Sequence, residues 1–165
     1  MRLSLAVLAP GALVLVGCPS EYPGEPVGTY SVTASLDEST CGPGVEGPEA
    51  RDFEVELRRD GEVGYWIRPD GVLWMGTIDD QGTYRFRIEQ TIQVRAGNEQ
   101  VAPCVMEQVD EISGAAAGSF SGTEALAIAA SAGADCADQM GITSGKFLDL
   151  PCQMRWDLEG DVKEP

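Results

Sequence analysis

Acidic side chains are the groups in this chain that are frequent enough to supply acid–base chemistry. The sequence has 27 Asp and Glu residues and no histidine. Without histidine, neither a Ser-His-Asp nor a Cys-His nucleophile system can be built from the chain. Adjacent acids occur at Asp79-Asp80, which belongs to a predicted turn where exposure to solvent is the simpler explanation, and at Asp110-Glu111. We therefore expect no enzyme activity and no cofactor.

Five cysteines form the second group of reactive side chains. Cys18 follows an apolar N-terminal run, whereas Cys41, Cys104, Cys136 and Cys152 lie in the body of the chain. An even number of this kind predicts two disulfides and an oxidising compartment. The shortest loop favours Cys136 with Cys152, which leaves Cys41 with Cys104, although the other two pairings stay open. Because histidine and Cys-x-x-Cys are absent from the sequence, we expect no metal site.

The N-terminal segment has the order of a secretory signal peptide: Arg2 and then an uncharged, apolar run over residues 3–16. The run is about 14 residues long, whereas a spanning helix needs roughly 20. It ends in Leu15-Val16-Gly17-Cys18, which resembles the lipobox of bacterial lipoproteins. The resemblance implies cleavage before Cys18, a diacylglyceryl group on its thiol and a membrane anchor made of acyl chains. A secreted protein without lipid is the alternative.

Three parts follow from this N-terminus: a signal peptide over 1–17, a lipidated cysteine with a Pro/Gly-rich tether over 18–27, and a single β domain over 28–165. Proline keeps such a tether extended at about 3 Å per residue. Because Pro19 rather than aspartate follows the cysteine, the resemblance also implies the outer membrane if the source is Gram-negative.

The net charge limits the partners of the chain. Its formal charge is −16, and cleavage also removes the basic Arg2. Such an acidic surface repels nucleic acid, and we expect no nucleic-acid partner. The partners that remain are the membrane, reached through the N-terminal lipid, and either an envelope protein or a small apolar ligand.

Period-two alternation of apolar and polar residues dominates the domain and predicts β-strands. It is clearest over 29–36, 53–58 and 84–94, and eight such segments follow one another with mostly short turns. We predict an all-β antiparallel meander, closed as a small eight-stranded barrel, with a two-sheet sandwich as the alternative. An Ala-rich helix competes over 125–132. Long connections are expected over 37–51 and 131–146.

Inward-facing polar residues suggest a use for the barrel interior. Gln90 and Glu124 share the parity of apolar neighbours, and a buried polar group needs a partner or a wet cavity. Gly28-Thr29-Tyr30 and Arg155-Trp156 resemble the lipocalin pattern, which implies a barrel that holds a ligand. The residues expected to line such an interior are Tyr30, Trp74, Phe86, Gln90, Glu124 and Trp156.

Two functions fit this sequence. The anchor, the tether and the disulfide-braced domain favour a structural or interaction lipoprotein of the cell envelope. The alternative is a lipocalin-like module that binds a small apolar ligand. In a third view the aromatic residues simply form the core, and the polar pair marks bulges or the open rim.

Overall fold

The computed structural model describes residues 21–46, 48–141 and 146–163. The signal peptide, the lipobox with Cys18 and the first residues of the expected tether lie outside these ranges. Within them, no helix is long and apolar enough to cross a membrane. A short 3-10 turn at Ala137–Gln139 precedes the last strand. The strands are β1 (Glu25–Ser39), β2 (Ala50–Asp60), β3 (Val63–Ile67), β4 (Leu73–Ile78), β5 (Thr83–Arg95), β6 (Cys104–Ala116), β7 (Ser119–Ala130) and β8 (Cys152–Val162).

The strands form a closed antiparallel barrel in chain order. Each strand pairs with the next, and β8 returns to β1, from Tyr30 opposite Val162 to Ser39 opposite Met154. The predicted eight-stranded meander is therefore confirmed, and the sandwich alternative is excluded. The segment for which a helix competed lies in β7 as far as Ala130, because it pairs with β6 on one side and β8 on the other. Pairing on both sides outweighs the helix propensity of its alanines.

Alternate residues of each strand point into the barrel, where aromatic rings interlock. The Trp66 ring meets Phe86 and Phe120 edge-on, with centroid separations of 5.7 Å and 5.5 Å. Phe120 also packs 6.1 Å from Tyr30. Gly114 lets the Phe120 ring approach the backbone, since a Cβ there would lie 2.6 Å from it. These rings fill the barrel toward the β2–β3, β4–β5 and β6–β7 turns, here called the closed end. The opposite end is called the mouth.

The disulfides join Cys41 to Cys152 and Cys104 to Cys136. Two disulfides were expected, but the favoured pairs, Cys136 with Cys152 and Cys41 with Cys104, are wrong. Lateral pairing decides the outcome: β8 pairs with β1, which places Cys152 at the start of β8 beside Cys41 just after β1. Likewise β6 pairs with β7, which places Cys104 beside the loop that carries Cys136. Both bonds lie at the mouth and are consistent with an exported, oxidising compartment.

Residues 21–24, here called the N-terminal strap, pack against the outer face of β2 and β3. Arg58 holds them: its Nε donates to the Pro23 carbonyl at 2.8 Å and its Nη2 to the Gly24 carbonyl at 2.6 Å. Gly24 has φ +74°, and a Cβ there would lie 2.8 Å from the Arg59 carbonyl oxygen. Strand β1 already begins at Glu25. Strand β1 and the Arg58 guanidinium therefore bind the residues from Pro23 onward, which were expected to form the second half of the tether.

Candidate ligand-binding cavity at the barrel mouth

The barrel wall is lower on one side of the mouth than on the other. Strands β3 and β4 have 5 and 6 residues, whereas the other six have between 11 and 15. β4 pairs with β5 only at Thr77 opposite Arg85 and Ile78 opposite Tyr84. Beyond these pairs, β5 continues to Arg95 along β6. The two strands therefore part toward the mouth, and the interior opens there.

A cavity of about 210 Å³ occupies this opening. Trp66 lies where the packed rings of the closed end meet the cavity, because it contacts Phe86 and Phe120 and also lines the opening. Pockets for drug-sized ligands usually measure about 300–1,000 Å³, so the space suits only a small molecule. Both aromatic and charged side chains line it: Arg51, Asp52, Phe53, Trp66, Arg68, Trp74, Ile112 and Glu124.

An ion pair crosses the cavity wall. Arg51 Nη2 on β2 contacts Glu124 Oε2 on β7, and their side chains are 40% and 9% exposed. The Arg51 guanidinium carbon also lies 4.7 Å from the Trp156 ring centroid and 5.9 Å from that of Phe53, which are cation–π distances. Because burying a charged pair costs about as much free energy as the attraction returns, this pair is poor evidence for a purely stabilising role.

Asp110 adds a second carboxyl group beside the ion pair. It lies on the inward parity of β6, two residues before Ile112, and its buried Oδ1 has no hydrogen-bond partner in the described part of the chain. Burial raises the pKa of Asp110 to about 7, the negative charge of Glu124 adds to this rise, and Arg51 opposes it. Near neutral pH this carboxyl group can therefore accept or donate a hydrogen bond.

Three of the predicted lining residues belong to this site. Trp74 and Glu124 line the cavity, and Trp156 lies beneath the Arg51 guanidinium. Tyr30 and Phe86 are instead buried in the packed core and are not among the side chains that line this cavity. The structure therefore does not bring Tyr30 and Phe86 to this cavity.

Gln90 is also misplaced in the prediction. It has the expected inward parity on β5, opposite Gln108, but it lies beyond the point at which β4 leaves β5 and is exposed to solvent. No neighbouring wall faces it there. A period-two pattern gives the face of a strand and not its height in the barrel, which is why Gln90 was expected inside.

Sequence reasoning missed Arg51, and it identified Asp110 only as one of two adjacent acids and not as a residue of the cavity, although each had a usable signal. Arg51 shares the parity of Phe53 and Val55, which alternate with polar residues along β2. Asp110 shares the parity of Ile112. In both cases the charged residue continues an apolar face, which is the same signal that identified Glu124.

The geometry and the comparisons define the site only by its own residues. In the described ranges, no group of three or more His, Cys, Asp or Glu side chains could hold a metal ion. Comparisons with known protein families, with curated proteins and with solved structures find no match for this chain. The fold and the site define a closed eight-stranded antiparallel β-barrel with a small polar and aromatic cavity at its mouth.

Proposed function

We propose that this protein is an exported lipoprotein that acts by binding and not by catalysis. Lipid on Cys18 holds it to a membrane surface, the outer membrane in a Gram-negative source, and the barrel offers the mouth cavity to a small ligand. The two disulfides support export, and the lipobox resemblance supports anchoring. The observation that carries the binding role is the cavity itself, because a purely structural lipoprotein has no need of buried charges there.

The chemistry of the cavity favours a small polar ligand with both an acceptor and a donor. The buried Arg51 Nε has no hydrogen-bond partner within the described ranges, and Arg68 Nη2 is held only by Asp70 at 3.4 Å with both side chains about half exposed. The guanidinium groups that line the cavity suit a carboxylate or phosphate group. The acidic side chains of Glu124, which lines it, and of Asp110, which lies next to Glu124, suit an amine or amide. The indole rings of Trp66 and Trp74 line the same cavity.

A long apolar ligand has less support than the lipocalin-like pattern suggested. The packed rings of the closed end occupy the interior in which an acyl chain would lie. A space of about 210 Å³ accommodates a molecule of amino-acid size. We therefore propose a zwitterionic small molecule as the ligand class.

Tryptophan fluorescence tests this proposal directly, because all three tryptophans of the chain, Trp66, Trp74 and Trp156, lie at the cavity or beside it. The protein is titrated with glycine, alanine and phenylalanine, and in parallel with propionate and propylamine. We expect a saturable change with a zwitterion at concentrations where the singly charged compounds give none.

Two variants and one control sharpen the titration. Arg51→Gln and Asp110→Asn should each weaken the response at least tenfold, since each removes one half of the recognition. The control, Arg85→Gln, changes an exposed arginine of β5 that is paired with Asp79. It should leave the fluorescence response unchanged. The absence of a response to every amino acid, or an equal loss in the control, would contradict this ligand class.

The anchor has a separate test. Cys18→Ser should release the protein from the membrane fraction, and the mass of the wild-type protein should include a diacylglyceryl group. Unchanged partitioning of the variant would contradict lipidation. A secreted, lipid-free protein would still be able to bind a ligand, so the two parts of the proposal fail independently.

A further inference from the structure

Exposed apolar side chains concentrate at the mouth. Among the described residues, nine large hydrophobic side chains are exposed, and six of them lie at this end of the barrel. Val27 and Val162 lie at the closed end, and Met75 lies midway along β4. The six, here called the apolar rim, are Val72, Leu73, Ile92, Val94, Met140 and Leu148.

The apolar rim comes from three separate parts of the chain. Val72 and Leu73 lead into β4 on the low side of the mouth, and Ile92 and Val94 end the tall strand β5. The loop before β8 supplies Met140 and Leu148. Ile92 and Val94 also border a hollow of about 170 Å³ together with Phe147 of that loop. Isolated surface hydrophobics are common, but a grouping of this kind at one end marks an interaction surface.

The N-terminal strap leads toward this same end. The strap starts from Gly24 beside Arg59 near the closed end and turns back along the outside of β2 and β3. The Tyr22 hydroxyl reaches the β3–β4 turn, since a Cβ on Gly71 would lie 3.6 Å from it. Cys18 is four residues before Tyr22, and four extended residues span at most about 14 Å. A lipid on Cys18 would therefore attach close to the mouth.

We propose that the apolar rim contacts the bilayer surface, so that the barrel stands with its mouth toward the lipid headgroups. This inference rests on the proposed lipidation of Cys18, which holds the rim close to the bilayer. Acyl chains on one residue fix the position of the strap but not the orientation of the barrel. Partial insertion of the apolar rim among the headgroups supplies that orientation, because burial of apolar area strengthens interfacial binding.

The net charge of the protein specifies the kind of lipid surface. An acidic chain is repelled by anionic headgroups, so the contact should form on zwitterionic phosphatidylcholine or phosphatidylethanolamine and weaken as anionic lipid is added. The same orientation would turn the cavity toward the headgroup region. Ligands would then reach it from the membrane side or through the gap between β4 and β5.

Lipid quenching of a fluorescent residue tests the orientation. The mature lipidated protein, which begins at Cys18, carries an environment-sensitive fluorescent amino acid at Leu148 in one sample and at Val162 in the other. The natural side chains there are 54% and 44% exposed. Both are reconstituted into phosphatidylcholine vesicles with brominated acyl chains. We expect lipid to quench the Leu148 probe at least threefold more than the Val162 probe, and aqueous iodide to show the reverse.

Matched variants identify the surface responsible. Leu73→Asp with Val94→Asp should abolish the lipid quenching of the Leu148 probe, whereas Val27→Asp should leave it unchanged. A Leu148 probe that remains accessible to iodide on pure lipid vesicles overturns the proposal. If that probe becomes protected only when a second copy or an envelope protein is added, the rim is a protein interface and the proposal is also overturned.

Attaching the protein to vesicles without its own lipid tests the orientation separately from the lipidation of Cys18. Mature protein with Cys18→Ser and an N-terminal hexahistidine tag is held on phosphatidylcholine vesicles through a nickel-chelating lipid. If lipid quenches the rim probe in this sample and the wild-type protein is found to carry no lipid, the lipid anchor is contradicted but the proposed orientation still holds. Normal lipidation without rim quenching would contradict only the orientation.

Discussion

The two ends of the barrel differ in composition although the same eight strands build both. At the closed end, Tyr30, Leu57 and Phe120 are at most 1% exposed and belong to the hydrophobic core. At the mouth, the same inward parity carries Arg51 and Glu124, and exposed apolar side chains surround them. The closed end has an apolar interior, whereas the mouth departs from this rule at Arg51 and Glu124.

The difference separates the part that stabilises the fold from the part that acts. Packing of the interlocked rings stabilises the closed end without a covalent bond, whereas buried charges and exposed apolar groups lower stability. Both disulfides lie at the mouth. The covalent bonds therefore reinforce the end of the barrel whose side chains stabilise it least.

Loss of a disulfide should have the largest effect and should depend on which bond is lost. Cys41→Ala with Cys152→Ala opens a loop of 111 residues and should lower the free energy of unfolding by about 5 kcal/mol on loop-entropy grounds. Cys104→Ala with Cys136→Ala opens a loop of 32 residues and should cost about 4 kcal/mol. Urea denaturation of both double variants gives the comparison. A larger loss of stability in the variant without the Cys104–Cys136 bond would show that loop entropy does not determine how much each disulfide stabilises the mouth.

Removal of a ring should cost more at the closed end than at the mouth. Phe120→Ala leaves a cavity in a fully buried cluster and should lower the free energy of unfolding by about 4 kcal/mol. Trp74→Ala removes a larger but partly exposed ring and should cost under roughly 2 kcal/mol. Chemical denaturation with a far-ultraviolet signal measures both. Equal losses would mean that the two ends contribute alike to stability.

The stability cost of the buried carboxyl group should depend on pH. Burial raises the pKa of Asp110 from its ordinary value of 3.8 to about 7 in the folded protein, so between these values the folded state keeps a proton that the unfolded state releases. Stability attributable to this group therefore falls as pH rises through that window. The advantage of Asp110→Asn over the wild type should grow by roughly 2–3 kcal/mol from pH 5 to pH 8.

Denaturation at the two pH values checks this difference. The matched control is Glu111→Gln, which changes the neighbouring exposed acid on the outer face of β6. An Asp110→Asn advantage that is the same at pH 5 and pH 8 would contradict the titration of Asp110 in this range.

The N-terminal strap should give the smallest effect, since it joins the two ends from outside. Arg58→Lys keeps the charge but loses the planar set of donors to Pro23 and Gly24, and should cost about 1–2 kcal/mol of unfolding free energy. Arg59→Lys, at an exposed position, should change stability by less than about 0.5 kcal/mol. Proteolysis near residue 22 should quicken only in the first variant. Equal protease sensitivity would mean that Arg58 does not hold the strap.

The sequence predicts the strands and their closure well because alternation is a local property. The inward sets of β1 and β8 can be read directly from every second residue. The number of strands and their mostly short turns then lead to the meander without further information. The pairing of Cys41 with Cys152 could not be read in this way, since it depends on which residues of β1 and β8 stand side by side.

The candidate site was only partly predictable for a related reason. Trp74, Glu124 and Trp156 were found because they lie on apolar faces, and Arg51 and Asp110 could have been found by the same rule. The height of a residue in the barrel depends on strand length and stagger, which alternation does not contain. Gln90 and Tyr30 were therefore assigned to the cavity although one lies beyond it and the other below it.

The pairing of the first strand with the last one sets the order in which the chain can fold. Synthesis delivers β1 early and β8 last, and Cys41 and Cys152 are 111 residues apart. At about 5–20 residues per second, β1 waits several seconds for its second neighbour with an apolar face uncovered. Pairing between distant segments also slows folding itself. The apolar face of β1 therefore stays without its β8 neighbour until the C-terminal strand is complete.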